Sequence, residues 1–271
     1  LGYDLQAQMI GGYPSGYLTQ AARLQILPGG NIPGDAQATY AGVAAMLKKA
    51  IGVEGDFKTS ILPMINYSYA NIYMGGAGYI ISMYFTVFLT NVVGMDISHA
   101  TFIVMIATIW DGINDPIMGI ITDRTRSKYG RHRRYLLWSI PPLVISYTML
   151  WNSFGLDAKE NPTICVVYYA FAYILYKTAY TMVDVPHTAM LPTLAPEYNK
   201  RTQYTSVSYI FNSTGMVPSY IILLVFLSIF GSGNELSENS KMPFFITGIV
   251  LSIVYACSIF ATLKTCKEPS S

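Results

Sequence analysis

The sequence predicts an all-α integral membrane protein, and three observations carry that prediction. The chain of 271 residues is 52% apolar but only 12% charged, whereas soluble domains contain about 25% charged residues. Tyrosine and phenylalanine are abundant, with 22 and 12 residues, which suits rings that gather at the lipid–water boundary. Four stretches without any charged residue exceed the ~20 residues that a helix needs to cross a bilayer. They are residues 59–95, 135–156, 202–234 and 242–263.

Two further apolar stretches complete the set of membrane helices, although each contains internal charges. Residues 97–121 include two aspartates, and residues 163–193 include one lysine and one aspartate. We therefore predict six transmembrane helices. In chain order they are residues 67–92, 97–121, 135–153, 163–193, 206–230 and 243–263.

The placement of basic residues orients these helices. Six of the 17 lysine and arginine residues lie between Arg124 and Arg134, after the second predicted helix. Short basic loops stay in the cytoplasm. With six spans, the basic connection after the fourth helix and the basic tail fall on that same side. We therefore expect a multi-pass protein of the plasma (inner) membrane, with both termini in the cytoplasm.

Residues 1–57 differ from the predicted bundle of residues 58–271 because glycine and proline punctuate them. After Asp35, a typical N-cap residue, apolar residues recur at helical spacing as far as Ile51. The segment is predicted to be an extension with one amphipathic helix. Three roles stay open: a helix on the membrane surface, a helix packed on protein, or an appended segment with no role.

Several functional classes are excluded at this level. The net charge is only +2, so no nucleic-acid partner is expected. The sequence contains no recognisable nucleophile–base pair, phosphate loop or metal-ligand motif. We therefore expect neither an enzyme nor a bound cofactor.

The second predicted helix carries charges that we expect to have a function, because a charge at the bilayer centre costs ~2.5–3.5 kcal/mol. Asp111 and Asp115 are four residues apart and share one helix face, and Asn114 is adjacent on that face. Carboxylate and amide oxygens form a hard ligand set that suits Na⁺, Li⁺ or a proton. These ligands are too few alone, so another helix is expected to contribute.

The fourth helix supplies candidates on one face of its own, because Lys177, Thr181 and Asp184 follow helical spacing. Thr181 offers a hydroxyl oxygen to a cation, and Asp184 can accept hydrogen bonds from substrate hydroxyls. Lys177 can pair with an aspartate. The alternative is a set of static ion pairs that fix helix register. Three acids against one base leave net negative charge, which favours a functional site.

Two stretches carry a family resemblance. They are WDGINDPIMGIITDRTRSKYGRHRRYLL, residues 110–137, and YTMVDVPHTAMLPTLAPEYNKRTQ, residues 180–203. Both resemble the glycoside–pentoside–hexuronide:cation symporters, melibiose permease-like transporters of the major facilitator superfamily, over about residues 66–271. The resemblance implies symport of a sugar or glycoside with Na⁺, Li⁺ or H⁺ by alternating access. Family members have twelve spans, so it also implies a half-length fragment whose missing partner is a C-terminal six-helix half.

The resemblance implies roles for individual residues as well. The implied cation (Na⁺) site comprises Asp111, Asn114, Asp115 and Thr181. The implied substrate site comprises Tyr180 and Asp184, and we add Lys177 and Thr188 at neighbouring positions. The implied cytoplasmic gating loop comprises Gly119, Asp123, Arg124, Gly130 and Arg131, unless this loop only fixes topology.

The sequence also departs from the family pattern. Met74 and Gly75 replace a Lys-Asp pair, Thr188 replaces a tryptophan, and residues 208–209 lack an expected arginine. Lys177 replaces a small residue. It either favours an anionic substrate such as a uronide or acts as a tethered cation that weakens Na⁺ dependence. These departures keep alternatives open: a non-transporting sensor, a degenerate half-transporter, or a lysolipid symporter of a related branch.

Overall fold

The structure is a computed structural model that describes residues 60–125, 132–156, 158–230 and 240–266. Helices, turns and short connections make up these residues, and none of them lies in a strand. The helices are α1 (Leu62–Ser68), α2 (Ala70–Val87), α3 (Ile97–Arg124), α4 (Arg133–Leu150), α5 (Pro162–Leu194), α6 (Tyr198–Phe230) and α7 (Lys241–Thr265). A π-helical turn, Phe88–Val92, continues α2.

These helices confirm the predicted fold class. The first predicted span corresponds to α1, α2 and the π-helical turn, and the other five correspond to α3 to α7. Four spans are long and apolar enough to cross a membrane by length and composition alone. The others, α4 and α5, fall short of that measure because polar and charged residues lower their mean hydropathy. The bundle of six spans supports the count obtained from the sequence.

Five of the six spans extend beyond the predicted limits, most clearly α6, whereas α4 ends three residues earlier than predicted. Helix α6 begins at Tyr198 rather than residue 206 and has 33 residues. At 1.5 Å per residue such a helix is about 50 Å long, whereas the hydrocarbon core of a bilayer is about 30 Å thick. The apolar window in a sequence measures only that core. The first turns of the helix carry polar residues, which suit water or lipid headgroups rather than that core.

The packing order places α3 and α5 side by side. Both α3 and α4 pack against α5, and α2 packs against α6. The last helix, α7, contacts α2, α4 and α6 and so joins the two sets. Because α3 and α5 carry the intramembrane charges, this packing decides which charged residues meet.

Glycines allow α2 and α6 to approach each other closely. A Cβ atom at Gly75 would overlap the backbone carbonyl of Asn212, and one at Gly215 would overlap the backbone carbonyl of Ile72. Small residues at membrane helix interfaces permit this contact, because packing rather than a hydrophobic driving force holds helices together in lipid. Gly75, one of the departures from the family pattern, therefore has a packing role.

Several tyrosine rings lie inside the bundle and not at the lipid–water boundary. The sequence assigned tyrosine rings to the lipid–water boundary, yet Tyr73, Tyr147 and Tyr255 are each 0% exposed. The rings fill space between helices, and Tyr255 meets Ser219 with 2.8 Å between hydroxyl oxygens. Trp151 stacks on Phe244, with ring centroids 5.4 Å apart. The physical reason is volume, because large flat rings occupy gaps in a bundle core. Of the three hydroxyls, those of Tyr73 and Tyr147 have no hydrogen-bond partner among the described residues.

The predicted N-terminal extension lies outside the described residues. Its amphipathic helix and its boundary at residues 57–58 stay predictions.

Candidate functional site

The site is built on the contact between α3 and α5. Trp110 lies on α3, and its Nε1 donates a hydrogen bond to Thr178 Oγ1 on α5 at 2.9 Å. This bond fixes the register of the two helices at the level where the intramembrane charges occur. Both helices have internal prolines, Pro116 in α3 and Pro186 and Pro192 in α5.

The first pair at this contact is an ion pair. The Lys177 ammonium donates to Asp111 Oδ2 at 2.7 Å, and the two side chains are 22% and 28% exposed. The same nitrogen lies 6.0 Å from the centre of the Tyr180 ring, at the outer limit for an attraction to the ring face. Lys177 is thus already engaged by a carboxylate of the implied cation site.

The second pair lies one helical turn further along both helices. Thr181 Oγ1 donates to Asp115 Oδ1 at 2.8 Å. Thr181 is buried, whereas Asp115 is exposed at the surface of the described bundle. In both pairs the partners are separated by 66 residues, so α3 and α5 run parallel in one register. The two pairs form a ladder of two rungs, which we call the charge ladder.

Two more predicted residues lie on the same two helices without a hydrogen bond to the charge ladder among the described residues. Asn114 is buried, and its Nδ2 has no hydrogen-bond partner among the described residues. Asp184 is half-buried and interacts electrostatically with Asp115 and Asp111. In the described part of the chain, the Asp184 carboxylate has no hydrogen-bond or ion-pair partner. Its acceptor oxygens are therefore available to a ligand.

The remaining substrate candidates separate into two groups. The Tyr180 ring lies beside Lys177 and has its centre 5.6 Å from that of Tyr73, so it belongs to the neighbourhood of the charge ladder. Thr188 is exposed, and its hydroxyl donates to the backbone carbonyl of Asp184 at 2.9 Å. That bond lies within the helix, so the Thr188 side chain adds no contact to the ladder.

The predicted gating loop is described only in part. Gly119, Asp123 and Arg124 lie in the last turns of α3, whereas Gly130 and Arg131 lie outside the described residues. A Cβ atom at Gly119 would meet open space, so packing does not require glycine there. On either side of the loop, Thr125 Oγ1 and the Tyr135 hydroxyl are 2.5 Å apart. The gating role stays a prediction.

Sequence reasoning missed a pair that joins the first span to α5. His187 Nε2 and the Tyr67 carbonyl oxygen are 2.9 Å apart, and the Tyr67 hydroxyl donates to the His187 carbonyl at 3.1 Å. Their rings stack with centroids 4.2 Å apart. The residues are 120 positions apart, and no local pattern marks either one. A lone histidine in an apolar stretch is too weak a signal to have found this pair.

The donor set can be compared with what a metal cation needs. Hard cations take oxygen ligands, typically six or more for the divalent ions. Asp115, Thr181 and Asn114 offer three side chains with oxygen atoms, but the ammonium of Lys177 already occupies one oxygen of Asp111. No group of three or more histidine, cysteine or acidic side chains suited to a metal occurs in the described residues. The implied Na⁺ set is therefore present but partly engaged.

Comparisons with known proteins agree with the fold. The family model described as MFS/sugar transport protein matches residues 66–271. An uncharacterized symporter from Synechocystis is 32% identical over 177 residues, which cover 65% of this chain and 31% of that protein. A putative glycoside/cation symporter from Escherichia coli is 26% identical over 181 residues, covering 67% and 37%. A sodium-dependent lysophosphatidylcholine symporter from Gallus gallus is 27% identical over 139 residues, covering 49% and 25%.

The chain spans only between 25% and 37% of the length of these relatives. The family match nevertheless covers nearly all of the described helices. The relatives are symporters, which are transporters and not enzymes. Two findings lead to one conclusion. The apolar helices form a bundle with a charged contact between the second and fourth spans, and the family model matches residues 66–271. The chain is a multi-pass membrane protein that belongs to the glycoside–pentoside–hexuronide:cation symporter family of the major facilitator superfamily.

Proposed function

We propose that the chain forms one half of a secondary active transporter that moves a sugar or glycoside together with a coupling cation. The observation that carries this proposal is the charge ladder between α3 and α5, with Lys177 on Asp111 and Thr181 on Asp115. Charged groups inside a membrane bundle are expensive and mark substrate or ion pathways. The name of the Escherichia coli relative, a glycoside/cation symporter, supports the same substrate class.

In this proposal α5 connects the two binding events. Its Thr181 contacts the acidic pair of α3, while Tyr180 and Asp184 lie on the same helix beside it. The carboxylate of Asp184 accepts hydrogen bonds from sugar hydroxyls, and the Tyr180 ring offers an apolar face to the sugar ring. A cation that offsets the negative charge of Asp115 also lowers the repulsion on Asp184. Cation binding then raises sugar affinity, and sugar raises cation affinity by the same factor.

Transport also needs a second helix bundle that closes the other side of the substrate site. Alternating access is the rocking of one helix bundle against another around a shared site, and the described residues form one bundle. We propose a second six-helix bundle as the partner, whether it belongs to the same polypeptide or to another. The cytoplasmic position of both chain termini and the plasma membrane location belong to this proposal as well.

Uptake measurements test the function. Cells that lack their own sugar permeases express the gene in its natural context, with any coding sequence that follows it. Labelled neutral glycosides and uronides are offered at fixed ionic strength. We expect saturable uptake that Asp184→Asn lowers at least tenfold, because an amide cannot replace both acceptor oxygens. Asp96→Asn, at a loop aspartate outside the site, is the matched control and keeps uptake. Uptake that survives Asp184→Asn would contradict the assigned sugar site.

A lysolipid is the second candidate substrate, and one observation favours it. Met74 is buried, Gly75 packs on the Asn212 backbone, and Thr188 bonds within its own helix. Met74 and Gly75 thus present no polar side chain to a sugar, and Thr188 uses its hydroxyl proton within its own helix. The similarity to a lysophosphatidylcholine symporter points the same way. Labelled lysophosphatidylcholine in the uptake assay separates the two: competition by it, without competition by glycosides, would assign the lysolipid. A protein that binds either ligand and transports neither would be a sensor or a degenerate half-transporter.

A further inference from the structure

We propose that Lys177 takes the place of a metal coupling cation beside Asp111, so that ligand binding at this site does not depend on Na⁺ or Li⁺. The inference rests on the proposed function, because it concerns the coupling site of that transporter. It makes Lys177 a specificity-determining residue for the cation. The geometry also decides between the two roles that the sequence left open for this lysine.

The first step is the position of the ammonium. Lys177 Nζ is 2.7 Å from Asp111 Oδ2, a charge-assisted hydrogen bond of ordinary length. The lysine comes from α5 and the aspartate from α3, so the pair joins the same two helices that a bridging metal ion would join. A metal ion bound to Asp111 would have to displace this ammonium, and the two positive charges would repel each other.

The second step is the cost of leaving Asp111 without a cation. An uncompensated carboxylate within a membrane span is costly, and breaking a partly buried pair leaves that charge unpaired. In a site without lysine, only a recruited cation can supply the compensation. Here the chain supplies it permanently, because the two side chains are only 22% and 28% exposed and already in contact.

The third step concerns the oxygens that remain. Thr181 donates its proton to Asp115 Oδ1, which orients that carboxylate. Asn114 is buried beside it. With Asp111 engaged, these three side chains are the predicted ligands left for a metal ion. Asp111 is therefore compensated without a metal ion.

The same geometry argues against Lys177 as an anchor for an anionic substrate. Its ammonium is held by Asp111 and has the Tyr180 ring 6.0 Å away. A uronide carboxylate would have to compete with an aspartate that is fixed on a neighbouring helix. Local, pre-positioned charge wins such a competition because it loses no translational freedom on pairing.

The experiment measures Na⁺ binding by its effect on stability and needs no transport. The full chain is purified in detergent, and its thermal unfolding midpoint is compared in NaCl, LiCl, KCl and choline chloride at equal ionic strength. For the unmodified chain we expect equal midpoints in all four salts. Lys177→Met removes the charge and opens the site. In NaCl at about 100 times its Kd, the midpoint of this variant should rise by about 5–10 °C over choline.

Three further variants make the test specific. Lys177→Arg keeps a positive charge and should stay insensitive to Na⁺. Adding Asp111→Asn to Lys177→Met should abolish the gained response. Lys200→Met is the matched control, because it removes a lysine from an exposed pair with Glu197 at 3.2 Å and should change nothing. If Lys177→Met does not fold, Lys177→Gln serves in its place.

Three outcomes would overturn the proposal. One is a Na⁺-specific rise in the unmodified chain as large as in Lys177→Met. Another is a folded Lys177→Met chain without any Na⁺ response, which would make the pair purely structural. The third is stabilisation of the unmodified chain by a uronide and not by the matched neutral glycoside, lost in Lys177→Met. Failure of the proposed function looks different: the salt responses appear as expected, but no ligand is taken up.

Discussion

Gly75 offers a strong test of the close packing of α2 against α6. The change is Gly75→Ala, which adds one methyl group on α2. A Cβ atom there would overlap the carbonyl oxygen of Asn212 and would lie 2.7 Å and 2.9 Å from the carbonyl carbon and Cα of that residue. All three are backbone atoms, so no side-chain rotation relieves the overlap and α6 must move away from α2.

The magnitude follows from two terms. Overpacking of a close contact costs about 1–3 kcal/mol, while replacing a helical glycine by alanine gains roughly 0.5–1 kcal/mol. Gly78→Ala isolates the second term, because a Cβ atom at Gly78 on the same helix meets nothing within 4 Å. The difference between the two variants is then the cost of the contact. At about 2–4 °C per kcal/mol for a protein of this size, it corresponds to roughly 2–12 °C in the unfolding midpoint.

The assay is thermal unfolding of both variants in the same detergent, followed by tryptophan fluorescence. Gly78→Ala should unfold at or slightly above the midpoint of the unmodified chain, and Gly75→Ala below it. Gly215→Ala, which meets the Ile72 carbonyl from the other helix, should resemble Gly75→Ala. Their combination should cost less than the sum, because the first change already separates the helices. Equal midpoints for Gly75→Ala and Gly78→Ala would refute the close contact of α2 and α6.

Three further predictions concern other contacts and use the same unfolding measurement. Tyr67→Phe removes the hydroxyl that donates to the His187 carbonyl and should cost about 0.5–1.5 kcal/mol; no change would show that this bond does not form. Gly248→Ala places a methyl group 2.9 Å from Cδ1 of the Trp151 indole and should cost about 1–3 kcal/mol. An unchanged unfolding midpoint would show that the indole shifts to accommodate the methyl group. Asp96→Ala removes the N-cap of α3, and Asp96→Asn should preserve it. The pKa of Asp96 lies below its ordinary value of 3.8 because the Ser98 side chain and backbone N–H donate to it. The stabilisation from the charged cap is therefore present above the ordinary value and lost as the pH falls through the lowered pKa. An equal loss for Asp96→Ala at neutral pH and at pH well below the lowered pKa would contradict it.

Much of the candidate site could be predicted from the sequence, because helical periodicity fixes which residues share a face. Asp111, Asn114 and Asp115 were placed together on one helix, and Lys177 and Thr181 on another. The structure brings these two faces into contact. Periodicity says nothing about which residue of one helix meets which residue of the next, however. The partners in the charge ladder depend on a parallel register in which they are 66 residues apart.

Other features had no local signal at all. Gly75 looked like a missing sugar ligand, but its role is to let the α6 backbone approach. His187 looked like an isolated ring, but it meets Tyr67 across 120 residues. In both cases the partner is a backbone group or ring on a distant helix. Such partners leave no pattern in the residues nearby.

The sequence by itself determined the fold class, the number of spans and the helices that carry charge. Those follow from hydropathy and from the cost of charge in lipid, which are properties of single segments. Only the tertiary structure decided that Lys177 pairs with Asp111 and that Asp184 has no hydrogen-bond or ion-pair partner among the described residues. A pairing depends on distance between segments, and distance is set by how the whole bundle packs.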